Sequence, residues 1–255
     1  MMNSRARTNE ARRWAIYGIT CATVFCWAGT SAAYRPFDGT DADVAEQGEL
    51  ELEIGPVGYH QQGSSRFIVA PALIANYGFA RGLEAVLEGR QYIPINGAHD
   101  SRQIQDVALS VKSLLRDGSL QGGSGLSIAV ENGILLPGSE SRLGFHVGSI
   151  FSLRLPAITL HLNLGNNLYS TRYEASGSLI LEGPASWRIR PVAEILAGRE
   201  FELANGGRFA ESALVGGIGR CSDALSFDTG VRFGRAGGQR EGEIRAGLTW
   251  AFDPW

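Results

Sequence analysis

Charged residues recur along this chain at spacings of two and four. Glu49, Glu51 and Glu53 alternate with Leu50, Leu52 and Ile54, and Glu84, Glu88 and Arg90 share one phase. So do Arg188, Arg190 and Glu194, then Asp228 and Arg232, then Glu243 and Arg245, with Lys112 and Glu131 in similarly alternating surroundings. In an extended chain, residues two apart point to the same side, so each set would present its charges on one face of a strand. Charges of both signs on an inward face must pair or stay wet. Two chemistries fit that wall. One is a narrow, water-containing path lined by carboxylates and a few arginines. The other is a set of ion pairs bracing a nearly filled interior. An excess of acid on such a wall mildly favours cations or neutral polar solutes over anions.

Other chemistry is sparse. Lys112, the one lysine, follows Val111, so no phosphate-binding loop of the Gly-x-x-x-x-Gly-Lys type exists. No Gly-x-Ser-x-Gly elbow and no His-Glu-x-x-His helix occur either. His60, His99, His146 and His161 lack metal-ligand spacing, and no cofactor or metal is expected. A nucleophilic site assembled in space remains open, with His146 or His161 beside a serine such as Ser149. That alternative is a lipid-modifying membrane enzyme.

The elements that would carry these residues are short alternating runs separated by turn signals. Twelve are read: 49–59, 66–77, 83–92, 106–115, 125–136, 143–153, 158–168, 175–181, 187–197, 209–218, 223–233 and 242–252. In the second, Phe67, Val69, Pro71, Leu73 and Tyr77 form the expected lipid-facing row. Pro71 argues mildly against a strand there, since proline cannot donate to a ladder. An even count returns both termini to one side. Connections after even runs look shorter than those after odd runs, the asymmetry of a transmembrane barrel. A secreted sandwich or lipocalin-like barrel would also alternate.

The ends of the chain bear on that choice. Arg5, Arg7, Arg12 and Arg13 precede an apolar run from Trp14 to Ala28 and the small residues Ser31-Ala32-Ala33. This resembles a secretory signal peptide, residues 1–33, cleaved after Ala33. The run is shorter than the ~20 residues a spanning helix needs, which disfavours an uncleaved anchor. Without it, 19 basic and 25 acidic residues remain, a balance unsuited to nucleic acid. Only Cys221 is left, so no internal disulfide can form. Residues 34–48 are polar, acidic and aperiodic, an extended lead-in either periplasmic or folded into the barrel mouth. Residues 49–255 would be the barrel.

The last run, Gly242–Phe252, puts Ile244, Ala246, Leu248, Trp250 and Phe252 on one face and Glu243, Arg245, Gly247 and Thr249 on the other. Its Gly247, Trp250 and Phe252 resemble the C-terminal signal by which the bacterial barrel-assembly machinery recognises its substrates. Further local patterns are Arg35–Ala42 followed by Gly48–Glu53, Tyr77–Glu84, Asp106–Lys112, Gly133–Gly138, and the final hairpin from Asp223. Together these resemble the transporter-like outer-membrane barrels named after the MetA pathway of phenol degradation. Asp38-Gly39 departs from that family's more compact opening, and no binding role is carried over to it. The resemblance implies an all-β transmembrane antiparallel barrel in the bacterial outer membrane, in contact with its lipid. It implies passive passage of small, polar or aromatic solutes, with a structural barrel without transport as a further alternative.

Overall fold

The computed structural model describes residues 35–96, 102–138, 142–202 and 206–254. The expected signal segment, 1–33, and His99 lie outside the described residues. Twelve strands follow one another: β1 (Leu50–Gln62), β2 (Ser65–Ala80), β3 (Leu83–Pro94), β4 (Gln103–Arg116), β5 (Ser127–Leu135) and β6 (Gly144–Arg154), then β7 (Thr159–Tyr169), β8 (Arg172–Glu182), β9 (Ile189–Glu202), β10 (Gly206–Arg220), β11 (Leu225–Ala236) and β12 (Gln239–Phe252). Each pairs antiparallel with its neighbours, and β1 pairs with β12, so the sheet closes on itself. Closure satisfies every ladder without leaving an edge.

The outward side of the wall is a band of large apolar residues. Leu109 is 51% exposed, Ile195 60%, Phe233 62% and Ile244 53%. Water would penalise so much contiguous apolar surface, whereas lipid solvates it. The rings of Trp250 and Phe252 lie 4.7 Å apart, tilted by 38°, on this band beside the chain's C-terminal rim. Among the described residues no helix is long and apolar enough to cross a membrane; this wall crosses with strands.

Two expectations need correction. The register slips between Val69 and Ala72, so Pro71 lies in a bulge where no ladder bond is required of it. The slip reverses the phase of the strand. Phe67 and Val69 therefore point inward, 7% and 4% exposed, and pack with Ala72 and Tyr92, while Leu73 keeps its outward place.

The loop asymmetry also fails. Asn166–Glu174 and Glu200–Arg208, read as loops, and Arg235–Glu241, read as the lead into the closing strand, are paired strand over most of their described residues, with Gly237-Gly238 making a tight turn in the last. Polar composition set these stretches outside the strands, but strand ends projecting beyond the bilayer are polar for the same reason. The longest connection between described residues, 117–126, lies on the side carrying the C-terminus and folds back into the mouth, burying Leu120 against Ala42, Ala129 and Ile150.

Candidate functional site

The interior is organised by the lead-in. Residues 35–48 run inside the barrel, in contact with strands all around the wall. Near β1 the segment is fastened by Gly48 N–H to the Gly78 carbonyl at 2.7 Å. Ala45 N–H then donates to Glu84 Oε2 at 2.6 Å, and Ala42 N–H to Ser152 Oγ at 2.9 Å. Thr40 and Asn163 exchange bonds, N–H to Oδ1 at 3.1 Å and Nδ2 to carbonyl at 2.9 Å. On the next strands Asp38 and Gly39 donate their N–H groups to Glu194 Oε2 and Oε1 at 3.1 and 2.9 Å. An extended segment without a sheet partner needs such acceptors for its donors, and the inward polar residues supply them.

Beyond Gly39 the segment anchors by packing and charge. Phe37 is buried among Ile180, Val192, Leu214 and Ile218, an apolar patch on the inner wall. Asp38 meets Arg245 Nη1 at 2.6 Å, Arg232 Nη2 at 3.2 Å and Arg90 Nη2 at 3.4 Å. Arg232 also binds Glu194 at 2.6 Å, and Arg245 binds Glu243 at 2.7 Å. Arg35 N–H donates to Glu53 Oε2 at 3.1 Å, and its guanidinium lies 3.5 Å from Asp228.

That guanidinium fits a notch made by two glycines. A Cβ added at Gly55 would lie 2.7–2.9 Å from its Nη2, Nη1 and Cζ, and one at Gly247 would run into its Nε. The expected assembly residue Gly247 thus faces the lumen and leaves room for Arg35. Gly247→Val should push Arg35 off Asp228 and raise resting conductance severalfold in planar bilayers, with little change in folding yield. Unchanged conductance would show that the notch does not hold the segment.

Above the segment lies a cavity of about 600 Å³, floored by Phe37–Thr40. Glu84, Glu88, Arg90, Asp106, Lys112, Glu131, His146, Asn167, Arg172 and Glu174 are among its lining residues. Lys112 is 1% exposed, 3.7 Å from Asp41 and 4.0 Å from Glu84. Arg172 takes Glu174 at 3.0 Å, and Ser110 donates to Glu131. Glu88 carries no ion pair among the described residues and faces the cavity.

Of the other charges named from sequence, Glu51 and Glu53 converge on the Asn76 amide at 3.4 and 3.2 Å. Arg190 binds Glu182 at 2.8 Å. The structure does not bring Arg188 to this wall. It precedes β9, exposed in the 183–188 connection, where its carbonyl accepts from Arg220 N–H. The alternation extends formally to residue 188, but the ladder does not. Sequence reasoning missed Asp38, Asp41, Asn163, Ser152 and Glu182. Their signal was weak: Asp38 and Asp41 reach the wall from the lead-in, Asn163 and Ser152 receive the lead-in, Glu182 bonds a neighbouring strand, and nothing local marks those partners.

The catalytic alternative also takes a different form. Ser149 alternates with Gly148 and Ile150, which are buried inward, and so takes the opposite phase from His146. His146 Nδ1 instead contacts Asn167 at 2.7 Å. A serine–histidine–carboxylate chain does exist: Ser152 Oγ lies 2.8 Å from His161 Nδ1, and His161 Nε2 lies 3.5 Å from Glu182. Ser152 is fully buried and already accepts the Ala42 N–H, so this chain is a clasp for the lead-in. Ser152→Ala should strand that N–H and cost about 1–3 kcal/mol in urea titrations of the folded barrel. A change near zero would remove the clasp.

Burial alone would push the Asp38 carboxyl up, but Arg245, Arg232 and Arg90 together hold it well below the usual carboxylate range. A depressed acid contributes stability that is complete above its unfolded value near ~4 and drains away as pH falls toward the folded one. The lead-in is therefore expected to stay docked from neutral pH down to about 4 and to loosen only in stronger acid. Opening between pH 7 and 5, read as conductance, would contradict the Asp38 cluster.

The arrangement is that of an outer-membrane-type β-barrel with its own N-terminal segment inside. Solved structures carry the same fold. An outer-membrane channel from Pseudomonas putida F1 aligns with a TM-score of 0.65 at 11% identity, over 85% of this chain and 100% of that one. The NanC porin aligns at 0.56 and 8% identity, over 79% and 98%. The KdgM porin, in complex with disordered oligogalacturonate, aligns at 0.52 and 11% identity, over 79% and 99%. No protein-family model matches the chain, and no curated protein matches it in sequence.

Proposed function

We propose that this chain is a passive channel of the bacterial outer membrane, closed at rest by residues 35–48. Small polar solutes, neutral or cationic, are the class it would pass. The observation that carries this reading is the water-accessible cavity of about 600 Å³ inside a closed barrel, floored by a segment held mainly through side-chain and backbone hydrogen bonds. Hydrogen bonds and ion pairs can be exchanged for water when the segment moves, whereas a fully apolar plug could not be so readily rehydrated. Selectivity follows from the wall. Glu84, Glu88, Asp106, Glu131 and Glu174 outnumber Arg90, Lys112 and Arg172 around the cavity. The short motifs shared with the transporter-like barrels of the MetA phenol-degradation pathway support membership of that group. A narrow lumen and diffusion down a gradient need no cofactor.

The test is conductance of the purified mature chain in planar bilayers under a salt gradient. Small, intermittently open currents with a reversal potential favouring cations are expected. A barrel that never conducts, even with residues 35–46 deleted, would leave only the structural reading. Anion preference would overturn the assigned solute class.

A further inference from the structure

The outward face near the rim opposite the C-terminus carries a band of arginines that the lumen does not use. Arg235 on β11 and Arg240 on β12 are direct cross-strand partners, flanking the Gly237-Gly238 turn. Both are exposed, and both continue outward rows, Arg235 two residues beyond Phe233 and Arg240 four residues before Ile244. Arg66 on β2, opposite Gln61, shares this outward side, as does Arg199 on β9. Arg199 lies 5.1 Å over the Phe201 ring. One acid, Glu211, faces Arg235 in register without an ion pair among the described residues.

Like charges directly opposite on one face of a hairpin repel and destabilise it. Among the described residues, the side chains of Arg66, Arg235 and Arg240 have no polar partner. A cationic band immediately beyond an apolar belt lies where lipid headgroups lie. An even strand count leaves both chain ends on the side from which the chain is delivered, so the arginine rim faces the outer leaflet.

We propose that Arg235 and Arg240, flanked by Arg66 and Arg199, bind the phosphate groups of an anionic outer-leaflet glycolipid. Guanidinium forks match phosphate oxygens in pairs, and two neighbouring arginines can share one bis-phosphorylated headgroup. The headgroup neutralises the repulsion at the hairpin tip. This needs the barrel in a bilayer but not conduction, so a silent channel would leave it standing.

The test compares the mature chain with its Arg235→Gln/Arg240→Gln variant in phosphatidylcholine vesicles, with and without lipopolysaccharide. Lipopolysaccharide should raise the midpoint of heat-modifiable gel mobility for the unaltered chain. The variant should bind it roughly thirtyfold more weakly, since each arginine near an anionic headgroup layer contributes about a fivefold factor. In phosphatidylcholine alone the variant should be at least as stable as the unaltered chain. Three results would overturn the proposal: lipopolysaccharide binding unchanged in the variant, inorganic phosphate alone reproducing the gain, or a variant less stable in phosphatidylcholine.

Discussion

Deleting residues 35–46 should raise single-channel conductance on the order of tenfold, the difference between a blocked and an open lumen of a twelve-strand barrel. The wall is expected to survive the loss. Every strand is paired on both sides, and the ladder does not depend on the lead-in. The deletion frees Arg232 and Arg245 of Asp38 and Lys112 of Asp41, but these groups then meet water in an open lumen. Four acids, Asp38, Asp41, Asp43 and Glu46, leave with a single base, Arg35, while Arg90, Arg232, Arg245 and Lys112, which Asp38 and Asp41 faced, stay. Cation preference should therefore fall as conductance rises, a change of reversal potential that a merely misfolded barrel would not give. Equal conductance with and without the segment would show that it does not obstruct the path.

Glu194→Ala should destabilise the folded barrel by about 3–5 kcal/mol, the usual cost of removing one partner from a buried ion pair. Glu194 is 1% exposed and serves three donors: Arg232 at 2.6 Å and the N–H groups of Asp38 and Gly39. Alanine leaves Arg232 held by the Ser212 hydroxyl and the longer Asp38 contact, and two backbone donors without an acceptor. The same change should raise resting conductance, because both donors belong to the floor of the cavity. Urea titration in vesicles reads the first effect and planar bilayers the second. A loss below about 1 kcal/mol would mean that Glu194 is solvated in practice, as surface pairs are.

These two expectations rest on features of unequal legibility. The strands were legible because a lipid-facing wall forces period two: Leu109 and Val111 outward, Ser110 and Lys112 inward, with a turn signal wherever the pattern breaks. The interior charges followed from the same parity, apart from Arg188, where the ladder stops one residue short. The phase reversal at Pro71 was not legible. A bulge costs one residue of register and leaves no compositional trace beyond the proline itself, so Phe67 and Val69 looked outward when they pack on Tyr92. The inner apolar patch of Ile180, Val192, Leu214 and Ile218 was equally silent, because its purpose is to receive Phe37 from the lead-in.

Alternation and turn residues, then, determined by themselves that this chain makes twelve strands with a greasy side and a charged side. They could do so because each strand's neighbours along the chain supply the pattern. What only the tertiary structure decided is where residues 35–48 go and what holds them. The partners of Asp38 lie on β3, β11 and β12, and that of Ala42 on β6. Such contacts come into being when the cylinder closes and brings residues distant in sequence within a hydrogen bond's reach, a juxtaposition that no local spacing encodes.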